Sequence, residues 1–124
     1  MKILVADDEA GMRHLFKKIF ITEFPGCVVD LVAGGEEAVA AARTGNYDVI
    51  WLDVRMPVKG GYEACLEIEQ MCSKEKLKMP FVIFCTGFKV PEEIEKLTAD
   101  PTRYALLRKP ASYAQIVDTF KTVK

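Results

Sequence analysis

The sequence predicts an α/β protein: one domain over residues 1–124, with a parallel sheet doubly wound by helices on both faces. Three observations carry that expectation. Five short apolar runs have the β-branched, aromatic and aliphatic character of buried strands. Segments with apolar residues at helical spacing lie between and after them, and glycine and proline turn signals mark the joints. Strands that alternate with helices call for parallel pairing, with helices covering the sheet.

The first run, residues 3–6, ends abruptly at Asp7, Asp8 and Glu9. Met12, Leu15, Phe16, Ile19 and Phe20 then recur at three-and-four spacing and mark the buried face of a first helix. Pro25-Gly26 turns the chain into a second strand over 28–32, and Gly34-Gly35 opens a weaker amphipathic segment over 35–43. The third strand, 49–52, runs into Asp53, and Gly60-Gly61 leads to a helix over 62–72. A fourth strand over 81–85 meets Thr86-Gly87 and is followed by a helical segment over 91–98. Asp100-Pro101 precedes the fifth strand, 104–107, which leads to Lys109-Pro110. Tyr113, Ile116, Val117, Phe120 and Val123 mark the buried face of a last helix ending near Lys124. All five strands are expected to be fully buried, and no linker, repeat or low-complexity segment interrupts them.

Half of the residues are hydrophobic, enough for a single core at this length. With 17 Lys and Arg against 18 Asp and Glu, the chain has no general attraction to nucleic acid or to an anionic membrane. Cys27, Cys65, Cys72 and Cys85 show neither CxxC spacing nor a Cys/His metal pattern, and read as reduced core thiols. The spacing of Cys65 and Cys72 marks core packing. No signal peptide or membrane-length apolar run is evident, so a soluble, cytoplasmic protein is expected. His14, the single histidine, lies off the apolar stripe beside Arg13 and is expected to face solvent, as are Lys17, Lys18 and the lysines of 74–78.

In open α/β sheets, ligands bind beyond the carboxyl ends of the strands. There this chain places Asp7, Asp8 and Glu9, then Asp53, Thr86-Gly87 and Lys109-Pro110. Two carboxylates about 4 Å apart repel by roughly 4 kcal/mol at an effective dielectric near 20, so the cluster calls for a positive partner. Asp7, Asp8 and Asp53 are hard oxygen ligands with no soft ligand among them, the set that suits Mg2+. One aspartate could instead cap the first helix, but three at two strand ends exceed what a cap needs. Glu9 fits the first helical turn, where the helix dipole favours negative charge. Asp53 could act as a nucleophile on phosphorus, Lys109 could reach the phosphoryl oxygens, and Thr86 could hydrogen-bond the product.

Together, DD after the first strand, DVRMPVKGG after the third, TG after the fourth and KP after the fifth make the chain resemble the receiver domain of bacterial response regulators over essentially its whole length. The resemblance implies a (βα)5 flavodoxin-like three-layer sandwich with parallel strand order 2-1-3-4-5. It also implies phosphorylation of Asp53 by the phosphohistidine of a sensor histidine kinase or a histidine phosphotransfer protein. Asp8 would be a direct Mg2+ ligand and Asp7 an assisting one, with Asp53 and the backbone carbonyl of Arg55 completing the protein's share. Lys109 would contact the phosphoryl group, and Thr86 would move toward it to reshape a protein-binding surface. The Lys109-Pro110 bond would be cis. Beyond promoting its own phosphorylation and dephosphorylation, the domain would not turn over an external substrate.

Three positions depart from that pattern. Leu106 stands three residues before Lys109, where an aromatic switch is common, and Tyr104 is displaced by two. DPTRY replaces a usual Gly-Ala pair, and Ala111 follows Lys109-Pro110 where Phe is frequent. Either Tyr104 substitutes through a shifted strand register or the signal travels without an aromatic switch. Arg55, two residues past the nucleophile, is a candidate for controlling access of water or a partner to the phosphate.

Other classes fit less well. A dehalogenase-type phosphatase would carry its nucleophile in a DxD pattern after the first strand and would need a cap insertion. A flavodoxin-like cofactor binder would offer hydroxyls and amides there, whereas DDE repels phosphate. The main alternative is a receiver-like module that binds a protein partner without being phosphorylated, which the missing aromatic favours.

Overall fold

The lengths of the apolar runs suit a sheet one strand-length deep, and the computed structural model, which describes residues 1–123, shows one. Its elements are β1 (Lys2–Ala6), α1 (Ala10–Glu23), β2 (Val28–Val32), α2 (Gly35–Gly45), β3 (Val49–Asp53), α3 (Gly61–Lys74), β4 (Phe81–Thr86), α4 (Glu92–Thr98), β5 (Tyr104–Arg108) and α5 (Tyr113–Lys121). The expected approach of the last helix to Lys124 lies outside the described residues. All pairings are parallel, in the order β2-β1-β3-β4-β5. This is the doubly wound flavodoxin-like arrangement, with the switch in strand order between β1 and β3.

Side chains alternate between the two faces of the sheet. Leu4, Ala6, Ile50, Leu52, Val82 and Phe84 share one cluster with Ala38, Cys65, Ile68 and Ile94 from α2, α3 and α4. Ile3, Val5, Trp51, Ile83 and Cys85 share the other with α1 and α5. Its centre is aromatic: Phe16 lies 4.5 Å from Trp51, Phe20 lies 4.3 Å from Phe120, and Trp51 and Phe120 are nearly parallel at 6.0 Å between ring centroids.

The expectation that every strand is fully buried fails at the two edges. In β2, Val28 is exposed and Leu31 and Val32 are half-buried; in β5, Ala105, Leu106 and Leu107 are half-buried. Both strands pair on one side only, so helices cover them incompletely. Two residues of the helical stripes also fall outside the core. Leu15 is 47% exposed and Tyr113 is 49% exposed, the latter with its hydroxyl on the Glu23 carboxylate. Each stands at the margin of its stripe, where the curve of the helix carries the side chain off the sheet.

The β4–β5 register pairs Val82 with Tyr104, Phe84 with Leu106 and Thr86 with Arg108. That pairing removes the shifted-register reading of Tyr104. Leu106 lies two residues along β5 from the partner of Thr86, on the same face, and Tyr104 lies four residues along, buried and stacked on Phe84 at 6.2 Å. No helix of the described residues is long and apolar enough to cross a membrane. All four cysteines are free thiols, and Cys65, Cys72 and Cys85 are buried.

Candidate functional site

Parallel strands all end on one edge, so the polar residues that follow β1, β3, β4 and β5 are brought together by topology. Because Ala6 pairs with Leu52, Asp7 emerges beside Asp53. Asp7, Asp8 and Asp53 each offer a carboxylate oxygen, and these oxygens lie within 4.8 Å of one another. Asp7 and Asp53 are buried, whereas Asp8 is exposed at the mouth.

The Lys109 ammonium completes the cluster. It donates to Asp53 Oδ2 at 3.1 Å and lies 3.4 Å from Asp7 Oδ2. Lys109 is therefore not the solvated lysine that its type usually is. Its backbone N–H donates to the Thr86 carbonyl at 2.8 Å, and the following bond to Pro110 is cis, as expected. Burial alone would lower the Lys109 pKa, but the hydrogen bond and charge of Asp53, with Asp7, outweigh it and hold the pKa above the usual lysine value. Burial pushes the Asp53 carboxyl upward, and Lys109 only partly offsets this. Lys109 thus leaves a surplus of buried negative charge on Asp7 and Asp53.

The acceptor loop is set by glycine. The Gly61 N–H donates to the Val54 carbonyl at 3.1 Å as the chain folds back over the end of β3. A Cβ on Gly61 would stand 2.6 Å from the Asp53 carbonyl oxygen, which cannot retreat because it belongs to the strand. Gly61→Ala is expected to destabilise the protein by about 1–3 kcal/mol, the cost of overpacking, and to weaken divalent-cation binding. Parallel urea unfolding and Mg2+ titrations would check both effects.

Other expected residues hold different positions. Asp7 Oδ1 accepts from the Glu9 N–H at 2.9 Å, an Asx turn leading into the helix, so Asp7 has a local as well as a site role. Glu9 is the N-cap of α1 rather than a first-turn residue, and its side chain makes no cap hydrogen bond among the described residues. Thr86 is buried, but its hydroxyl accepts from the Phe88 N–H at 3.1 Å and makes no hydrogen bond to Asp53 or Lys109 among the described residues. Arg55 donates its backbone N–H to Asp53 Oδ1 at 3.3 Å. His14 is exposed, as expected, and so are Lys17, Lys18, Lys74, Lys76 and Lys78.

Phe88 was not singled out from the sequence. Its ring, 56% exposed, lies under the Arg55 guanidinium, 4.2 Å from the centroid, so a cation–π contact joins the loops after β3 and β4 at the rim. The available signal was positional: Phe88 follows Thr86 by two, as Arg55 follows Asp53 by two. The periodicity of α1 gives Arg13 no role, but its guanidinium donates to the Asp7 carbonyl at 2.7 Å and ties α1 to the end of β1.

A β2-β1-β3-β4-β5 sheet whose carboxyl edge gathers three carboxylates and one lysine defines the receiver class of signalling domains. Residues 3–121 match the response regulator receiver domain family, and the chain belongs to it. It is thus a receiver domain of the two-component type, with an acidic pocket that could hold a metal ion.

Among similar proteins, the transcriptional regulatory protein ResD of Bacillus subtilis is 32% identical over 116 residues, which are 94% of this chain and 45% of that protein. The TcrA regulator of Mycobacterium tuberculosis is 33% identical over 110 residues, 40% of its length. The chain therefore spans less than half of these two relatives. Chemotaxis protein CheY of Halobacterium salinarum is 28% identical over 123 residues, 98% of this chain and 95% of that one.

Among solved structures, chemotaxis protein CheY4 of Vibrio cholerae superposes with a TM-score of 0.80 at 27% identity, over 99% of this chain and 98% of that one. The receiver domain of a Pseudomonas aeruginosa sensor histidine kinase gives 0.78 at 27% identity, over 98% and 95%; that structure has a magnesium ion coordinated in its active-site cleft.

Proposed function

We propose that this chain is the phosphoacceptor of a two-component relay, taking a phosphoryl group onto Asp53 from a phosphohistidine. One observation carries the reading: three carboxylates meet at the carboxyl edge of the sheet, with the Lys109 ammonium 3.1 Å from Asp53. The donors would be a sensor histidine kinase or a histidine phosphotransfer protein, and the output would be a protein target. The free thiols fit a reducing, cytoplasmic setting.

The donor set suits Mg2+: three hard carboxylates with no sulfur or imidazole among them, one of them open to solvent. Asp7, Asp8 and Asp53, with the Arg55 carbonyl, would hold the ion. Bound there, it would neutralise charge on the transferring phosphoryl oxygens.

The remaining work belongs to the chain. The Arg55 N–H and the Lys109 ammonium orient the Asp53 carboxylate from its two oxygens. A carboxylate oxygen then bonds to phosphorus as the P–N bond breaks, and the electron pair leaves with the donor imidazole. Lys109 would follow the developing charge onto the phosphoryl oxygens, in the manner of an electrostatic clamp. Thr86 would release the Phe88 N–H and turn its hydroxyl to the product. Incubation with acetyl phosphate, read by intact mass, should give a phosphoryl adduct with Mg2+ and none with EDTA.

The contact between Arg55 and Phe88 joins the loops that follow Asp53 and Thr86, and in this reading it shields the acceptor from water. Arg55→Ala and Phe88→Ala should each shorten the aspartyl-phosphate half-life several-fold by opening that side to water. Half-lives equal to wild type in both variants would remove the shielding role.

A second reading has an observation of its own. Leu106, rather than an aromatic, is the nearest β5 residue on the face of Thr86 short of its own partner Arg108, and Tyr104 is too far along β5 to replace it. A module that binds its partner without phosphorylation would show equal partner affinity with and without the adduct.

A further inference from the structure

Beside Lys109, on the α1/α5 face of the sheet, α1 and the start of α5 stand apart around a cavity of about 450 Å³. Met12, Leu15 and Phe16 line it from α1, and Ile116, Pro110 and Ala111 from the β5–α5 segment. Cys85 and Lys109 complete the lining. Lys109 contributes its methylene stem, because its ammonium is engaged by Asp53 and Asp7. The Cys85 thiol, pushed up to about 12 by burial, remains protonated and is a weak hydrogen-bonding group.

A water molecule in such a space would find almost none of the two to four polar partners it needs, so water there is easily displaced by an apolar group. The volume lies within the roughly 300–1,000 Å³ range of small-molecule sites. Leu15, 47% exposed, and Pro110 leave the cavity open to solvent at one side. The half-buried Ala111 decides its size, since one methyl stands where a larger side chain would fill the space.

From these features we infer that the α1–α5 cavity binds a small uncharged apolar molecule, of about the bulk of one or two fused rings. The site is joined to the acceptor through the backbone. The Val54 N–H donates to the Cys85 carbonyl at 2.9 Å, and the Lys109 N–H donates to the Thr86 carbonyl at 2.8 Å. A ligand that fixes the Lys109-Pro110-Ala111 segment therefore acts on the residue that pairs with Asp53. Binding itself does not depend on the phosphoryl chemistry.

Indole is a suitable probe: uncharged, bicyclic and spectroscopically simple. Titration of the full chain, followed by methyl NMR, should give saturable shifts confined to Met12, Leu15, Ala111 and Ile116, with a Kd of about 1 mM or tighter. Asp53→Asn removes no lining residue and should still bind saturably, within a few-fold of wild type, which separates this site from the acceptor reading. Ala111→Phe should fill the cavity and weaken binding at least ~10-fold, with a thermal midpoint no lower than wild type. Leu15→Lys, at an exposed position, should weaken it without loss of fold. Several outcomes would overturn the inference: shifts scattered over the surface, affinity unchanged in both variants, or no saturation at all. Line widths that grow with protein concentration and recover in Leu15→Lys would also overturn it, making the occupant a second copy of the chain.

Discussion

Asp53→Asn is expected to carry no phosphoryl adduct after incubation with acetyl phosphate and Mg2+ under conditions that label wild type. The substitution keeps the shape of the side chain and its place at the end of β3, but replaces the nucleophilic carboxylate with an amide that cannot form the acyl phosphate. Asp7 cannot take over, because it is completely buried behind the acceptor, at 0% exposure against 5% for Asp53, and is held in the turn by the Glu9 N–H. An adduct of equal yield on the Asn variant would place the acceptor elsewhere and end the phosphorelay reading.

The same variant should also be the more heat-stable protein when metal is removed. Burial raises the Asp53 pKa, so between its ordinary value and the raised one the folded state holds a proton that the unfolded state releases. The charged carboxylate thus costs stability above that window, and the cost is relieved as pH falls through it. Asn removes that cost at neutral pH. Mg2+ should raise the melting temperature of wild type more than that of Asp53→Asn.

Trp51→Ala is expected to lower stability by about 3–5 kcal/mol, measured by urea unfolding followed with far-UV circular dichroism. Domains of ordinary stability hold about 5–15 kcal/mol, so this one change could leave the chain near its unfolding threshold. Trp51 is completely buried in the central strand, with Phe16 at 4.5 Å and Phe120 at 6.0 Å, and both rings belong to helices that cannot collapse inward without leaving the sheet. Trp51→Phe supplies the contrast. The indole Nε1 has no hydrogen-bond partner among the described residues, and an unsatisfied buried donor costs about 1–3 kcal/mol. Phenylalanine removes that donor along with part of the volume, so the two effects oppose and the net loss should be small. A loss as large as that of Trp51→Ala would show that ring volume alone governs this layer.

Much of this molecule was legible in the residue order. Each strand was placed to within a residue at either end, because a buried parallel strand is a continuous apolar run with a sharp polar edge. The polar edge also gathers the candidate site, since parallel connections put every carboxyl end on one side. Asp7, Asp8, Asp53, Thr86 and Lys109 could therefore be brought to one place from position alone.

What the residue order left open concerned partners across space. Whether Tyr104 replaced the missing aromatic depended on the β4–β5 register, and an edge strand pairs on one side only, so its run of YALLR is compatible with either alignment. The exposure of Leu15 and the cavity beside Ala111 depend on how far α1 stands from α5, a distance that neither helix's periodicity contains. The contact between Arg55 and Phe88 joins two loops, and the order of residues within each loop fixes neither its direction nor its reach. Local chemistry determined the strands, the helices and the acidic edge because those depend on neighbours in the chain. The rim, the cavity and the register were decided by packing, where the choice rests on surfaces that meet only after folding.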